Sequence, residues 1–127
     1  MTVMKATATS VDTASAGDPG VRFERQGATV VITLDRAGKL NAIDSGMKAA
    51  IASELPRIAR DPQVYAVLLR AAPGRMFCAG GDIREYFDLA QSNPGQAADE
   101  CAREYALIWQ LDCFSKPSIA FIDGPVL

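Results

Sequence analysis

The sequence contains no histidine. That absence excludes Ser-His-Asp and Cys-His nucleophilic catalysis and the histidine-bearing zinc sites. Chemistry on this chain has to run on carboxylates, on backbone dipoles or on a group supplied from elsewhere. Lysine and arginine form no cluster, so neither nucleic acid nor an anionic membrane is expected as a partner. The longest apolar run, Val64 to Leu69, is far too short to cross a bilayer. The first residues also lack the apolar centre of a signal peptide. Cys78, Cys101 and Cys113 form no C-x-x-C pair and are odd in number, which reads as free thiols in a reducing cytoplasm.

What is present suits one small domain. The chain has 127 residues, 49% of them hydrophobic, with a net charge of −2, enough apolar material for a core. Residues 1–20, "MTVMKATATSVDTASAGDPG", show no periodicity and read as a disordered lead-in. Two aspartates and no arginine there weigh against a mitochondrial address.

From residue 21 a structural rhythm begins. "VRFER" and "ATVVITL", split by Gln26-Gly27, predict a hairpin, and "DRAGKLNAI" a connecting loop. Met47, Ala50, Ile51, Leu55 and Ile58 recur at helical spacing, which predicts a helix over Ser45 to Arg60 capped by Asp44 or Ser45. Pro56 inside it should cost about 3 kcal/mol and kink or divide the helix. "VYAVLL" has no alternation and is expected to be a strand covered on both faces. "DIREYFDLA" predicts a short helix, and a second is expected from about Gln96 to Leu111. Ala98, Cys101, Tyr105, Ile108 and Trp109 are assigned to one side of it, with Tyr105, Ile108 and Trp109 packing in the core. "SIAFI" follows as another buried strand. Strands alternating with helices give an α/β fold with parallel strands.

The stretch "RMFCAGGDIREY" places two glycines where a strand gives way to a helix. Glycine there loses conformational entropy on folding, so something should need a backbone without a side chain. A helix N-terminus offers N–H groups with no intrahelical partner, reinforced by the helix dipole. Neither G-x-x-x-x-G-K-[ST] nor G-x-G-x-x-G is present, which leaves two readings. One is an oxyanion hole with the backbone N–H of Gly81 as donor. The other is a plain turn with Asp82 as helix cap. Cys78 beside it reads as a small buried residue, since no histidine is available to take its proton.

"LDRAGKLNAI", then "AVLLRAAPGRMFCAGGDIREY", then "KPSIAFIDGPVL" resembles the crotonase (enoyl-CoA hydratase/isomerase) superfamily over about residues 21–127. Within it, "FCAGGDIR" and the helix carrying "REY" look most like the branch that hydrolyses 3-hydroxyisobutyryl-CoA in valine breakdown. The resemblance implies a ββα spiral fold and an acyl-CoA thioester substrate, with coenzyme A as part of that substrate and no separate cofactor or metal. It implies that Gly81 supplies the first oxyanion-hole N–H. Cys78 and Ala79 would meet the adenine end of CoA, and Arg36 and Lys39 its phosphates. Glu104 would contact substrate, and Asp82, in the same motif, is placed on the substrate side, although a cap is its simpler role. Ala37 stands where the family loop commonly has proline.

The family's glycine-rich turn with a second oxyanion N–H, and the carboxylates beyond it, have no counterpart in these residues. The expectation is therefore a partial crotonase-like domain, the N-terminal half, truncated before the second oxyanion-hole loop, inactive alone and a candidate homo-oligomer when complete. Two alternatives stay open: an enoyl-CoA hydratase or isomerase, and a non-catalytic CoA-binding or functionless fragment.

Overall fold

The computed structural model describes residues 20–127, so the expectation for the first twenty residues lies, but for Gly20, outside the described part. Strands β1 (Val21–Gln26) and β2 (Thr29–Leu34) form the expected antiparallel hairpin, with Gln26 opposite Thr29. Gly27 opens its two-residue turn at φ +61°, a conformation that fits the twist of the flanking strands. β3 (Ala66–Ala71) lies parallel to β2, and β4 (Ser118–Phe121) parallel to β3, giving the order β1-β2-β3-β4. Helix α1 (Ser45–Arg60) links β2 to β3; α2 (Ile83–Ser92) and α3 (Pro94–Asp112) lie between β3 and β4.

The core forms where α1 meets one face of the sheet. Met47, Ile51, Leu55 and Ile58 lie on one stripe of α1 and pack in a single cluster with Val30, Ile32 and Leu34 of β2. Alternation sends Val31 and Thr33 to the opposite face, yet both are buried, because β2 has strands on either side. Arg70 of β3 donates to the Thr33 hydroxyl there, 3.1 Å away.

Pro56 does not divide α1, which is a single sixteen-residue helix with Asp44 as its cap. Proline has no N–H to give the carbonyl of Ala52. That carbonyl accepts instead from the Gln110 amide of α3 at 3.3 Å. The other end of α1 is closed by Lys116, whose ammonium donates to the carbonyls of Ile58 (2.6 Å) and Asp61 (2.5 Å). A cation is well placed at this negative end of the helix dipole.

Three expectations are corrected. β3 begins at Ala66 rather than Val64, because Asp61–Val64 still forms a turn in which the Val64 N–H donates to the Asp61 carbonyl. β4 is exposed along its whole length, not buried, because it is an edge strand with β3 on one side only. Tyr105, Ile108 and Trp109 are exposed as well; α3 turns Ala97 and Leu107 inward, with half-buried Cys101, Glu104 and Gln110 on the same stripe. The apolar residues on α3 span more than one face, so periodicity alone did not choose between them.

Candidate functional site

The segment after β3 returns to the loop that precedes α1 and is fastened to it by its backbone. The Ala79 N–H donates to the Leu40 carbonyl at 3.1 Å, the Ile43 N–H to the Gly80 carbonyl at 2.8 Å, and the Asp82 N–H to the Ile43 carbonyl at 3.0 Å. The last two make a parallel bridge between Ile43 and Gly81. In such a bridge Ile43 uses the peptide groups of the residues flanking Gly81, so the N–H of Gly81 itself faces away. Among the described residues it has no hydrogen-bond partner.

The two glycines therefore do different work. Gly80 has φ +82°, and a side chain on it would begin 3.2 Å from the Leu127 carbonyl. It makes the corner. Gly81 has no positive φ, and the nearest atoms to a side chain there are both Glu104 carboxylate oxygens at 3.7 Å. Gly81 immediately precedes Asp82, which caps α2 by accepting from the Glu85 N–H at 3.2 Å.

Arg36 joins the caps of the two helices. Its guanidinium contacts Asp82 at 2.8 Å and Asp44 at 3.2 Å, and donates to the Ala42 carbonyl at 2.9 Å. Asp44 in turn accepts from the Met47 N–H, and Glu85 accepts from both the N–H and the hydroxyl of Ser45. The hydrogen bond from Arg36, then that from the Glu85 N–H, hold the Asp82 carboxyl below the usual aspartate range, against a smaller opposing effect of burial. Asp82 is therefore an ionised and neutralised cap. Buried Asn41, at φ +53°, completes the knot by donating to the Met76 carbonyl at 3.0 Å.

A cavity of about 600 Å³ opens in front of Gly81. Ile83, Tyr86, Leu89 and Tyr105 give it an apolar wall, while Lys48 and Glu104 stand at a polar end. Lys48 of α1 pairs with Glu104 of α3 at 3.1 Å.

Of the residues singled out from sequence, Gly81, Asp82, Ala79 and Glu104 line this cavity. Cys78 lies buried behind it, its sulfur accepting the Gly80 N–H at 3.3 Å. Arg36 is engaged by its carboxylate partners, and Lys39 is exposed at the end of a 3-10 turn, Ala37–Lys39. Lys48 and the Ser45–Glu85 link are absent from the sequence-derived candidates. The signal for Lys48 was its position: a cation near a helix N-terminus is disfavoured by the dipole and needs a reason.

Comparison with known proteins gives the family. Residues 29–127 match the family described as enoyl-CoA hydratase/isomerase. The 3-hydroxyisobutyryl-CoA hydrolase of Xenopus laevis is 38% identical over 107 residues, covering 84% of this chain and 28% of that protein. The Homo sapiens hydrolase of the same name is 35% identical over 104 residues, covering 82% and 27%. The chain thus spans little more than a quarter of the length of these relatives. Among solved structures, a carnitinyl-CoA dehydratase from Mycobacterium thermoresistibile superposes with a TM-score of 0.79 at 30% identity, over 84% of this chain and 32% of the other. An enoyl-CoA hydratase/isomerase from Marinobacter aquaeolei gives 0.73 at 31% identity, over 81% and 40%.

Proposed function

Because the chain belongs to the enoyl-CoA hydratase/isomerase family and has the crotonase fold, we propose that it forms the carbonyl-receiving part of a 3-hydroxyisobutyryl-CoA hydrolase. The observation that carries this reading is the N–H of Gly81, which is turned away from Ile43 and has no partner among the described residues, on a residue that lines the cavity at the head of α2. A thioester carbonyl accepted there gains both a hydrogen bond and the positive end of the helix dipole, and each strengthens as the oxygen becomes an anion. The adjacent Asp82 carboxylate would oppose that charge, but its pairing with Arg36 removes most of the opposition.

In the reaction, water or a carboxylate from outside these residues adds to the thioester carbon. The tetrahedral oxyanion rests against Gly81, then the carbon–sulfur bond breaks. After attack by water the products are the acid and CoA thiol, the sulfur taking the proton that the water gives up. After attack by a carboxylate the sulfur leaves first and a mixed anhydride remains, which water then splits to the acid. Ala79 and Lys39 are the residues proposed to meet the CoA moiety. The hydratase or isomerase alternative uses the same hole for an enolate, and the names of the superposed structures favour it. The sequence relatives favour the hydrolase. Those relatives are named as mitochondrial proteins, and the three free cysteines fit any reducing compartment, so the cytoplasmic expectation gains no support.

The test is release of CoA thiol from 3-hydroxyisobutyryl-CoA by a chimera in which residues 1–127 are continued by the rest of the frog hydrolase. The 127-residue chain alone is expected to show none above background. In the chimera, Gly81→Pro, which deletes the donor, is expected to lower the rate about 100- to 1000-fold. Gly81→Ala keeps the N–H, has room for its methyl group and should retain activity. A thermal melt accompanies both. A folded Gly81→Pro chimera with an undiminished rate would reduce Gly81 to a turn residue.

A further inference from the structure

Lys48 is in the wrong place for stability alone. It sits in the first turns of α1, near the positive end of the dipole, and its side chain is only 13% exposed. Lysines are seldom buried unless paired, and the partner of this one among the described residues is Glu104, fifty-six residues away on a different helix. The pair faces the cavity beside Gly81, opposite a wall of aromatic and aliphatic side chains.

From this geometry we infer that Lys48 and Glu104 form a subsite for a hydroxyl group on the acyl chain, with Lys48 the specificity-determining residue. The inference rests on the acyl-CoA reading of the cavity and deepens it. A hydroxyl donates one hydrogen bond and accepts others. The ammonium supplies the donor it needs and the carboxylate the acceptor, and the two are held 3.1 Å apart. Distance keeps the hydroxyl close to the thioester carbonyl. Both Glu104 oxygens lie 3.7 Å from the side-chain origin of Gly81, which puts them within about 6 Å of its nitrogen by ordinary backbone dimensions. A carbonyl oxygen bonded to that N–H takes up about 3 Å. What remains has also to hold the hydrogen bond between hydroxyl and carboxylate, so the hydroxyl stands near the thioester carbonyl and not at the far end of a long chain. In a deoxy acyl chain the lysine and glutamate keep each other satisfied. The preference is therefore moderate, set by two charge-assisted bonds and not by an orphaned charge.

The test uses the 127-residue chain and two non-hydrolysable thioether analogues, 3-hydroxyisobutyryl-CoA and isobutyryl-CoA with the thioester oxygen retained on a ketone, measured by calorimetric titration. The native chain is expected to bind the hydroxylated analogue about tenfold more tightly. Lys48→Met should abolish that preference while leaving the affinity for the deoxy analogue unchanged; Lys48→Gln, which keeps a donor, should retain part of it. Thermal melts check that both variants fold, and a misfolded Met variant leaves the Gln variant to decide. Loss of preference in either folded variant supports the subsite. A preference unchanged in every variant that folds, or none in the native chain when both analogues bind, overturns the subsite and leaves the acyl-CoA reading standing. Failure of both analogues to bind overturns the acyl-CoA reading, and the subsite with it.

Discussion

Two apolar surfaces of this chain meet opposite fates. On α1 and β2, Met47, Leu55, Val31 and Leu34 are sealed from solvent. On β4 and the outer side of α3, residues of the same kind stay open to water, with Trp109 at 69% exposure and Phe121 at 65%. The residue types hardly differ; what lies opposite them does. β2 has a strand on each side and α1 across one face, whereas β4 has β3 alone. Hydrophobic periodicity reports a demand for cover and says nothing of its supply.

The largest expected effect tests that contrast directly. Leu55→Ala removes a fully buried side chain and should lower unfolding free energy by about 3 kcal/mol. Trp109→Ser, at an exposed position, should stay within about 0.5 kcal/mol. Urea unfolding of the 127-residue chain, followed by circular dichroism, measures both. If Trp109→Ser costs as much as Leu55→Ala, the outer face of α3 is covered in solution and the contrast between the two surfaces disappears.

The same contrast marks how much the sequence told. The hairpin, the span of α1, its Asp44 cap and the corner at Gly80 and Gly81 were legible, because each is written locally: a glycine between β-rich runs, an apolar stripe at helical spacing, an acid before the first turn. The inward face of α3 was not, since Tyr105, Ile108 and Trp109 compete with a line through Ala97 and Leu107, and only the neighbouring elements decide. Of the candidate site, Gly81 and Glu104 were found through motif, and the cavity brings them together. Lys48 was missed, because its partner is fifty-six residues distant and its place near a helix N-terminus names no partner. Arg36 was read as a loop charge for phosphate, while its bonds to Asp44 and Asp82 depend on two helix ends meeting in space.

A smaller effect sharpens the buried half of the comparison, where those helix ends are joined. Asp82→Asn keeps a good capping acceptor for α2 but removes the charge that Arg36 pairs with. The expected cost at neutral pH is about 1 kcal/mol, modest because the pair is partly exposed to solvent. Its pH dependence is the more telling readout. The folded Asp82 carboxyl is held below the ordinary aspartate range, so its ionised form stabilises the fold above about pH 4 and that contribution is lost as pH falls through the lowered value. The gap in urea midpoint between native chain and Asp82→Asn should therefore close on acidification. A gap that persists unchanged at about pH 2 would mean that Asp82 contributes through shape and not through charge.

The smallest effect lies on the border between the two surfaces, where α3 touches α1. Pro56 leaves the Ala52 carbonyl without its helical donor, and Gln110 supplies one from α3. If that amide is there to repair the helix, its worth depends on the proline. Gln110→Leu should destabilise the native chain by about 1 kcal/mol, the net value of a hydrogen bond whose loss leaves a half-buried carbonyl unmet. In a Pro56→Ala background the residue-56 N–H returns to Ala52, and the same Gln110→Leu change should then cost close to nothing. The quantity to read is the difference between the two costs in a double-mutant cycle, measured by urea unfolding. A coupling of about 1 kcal/mol fixes Gln110 as the donor that lets proline sit inside α1. A coupling near zero would show that water meets the Ala52 carbonyl in solution, and that α3 is held against α1 by Leu107 and its apolar neighbours without this bond.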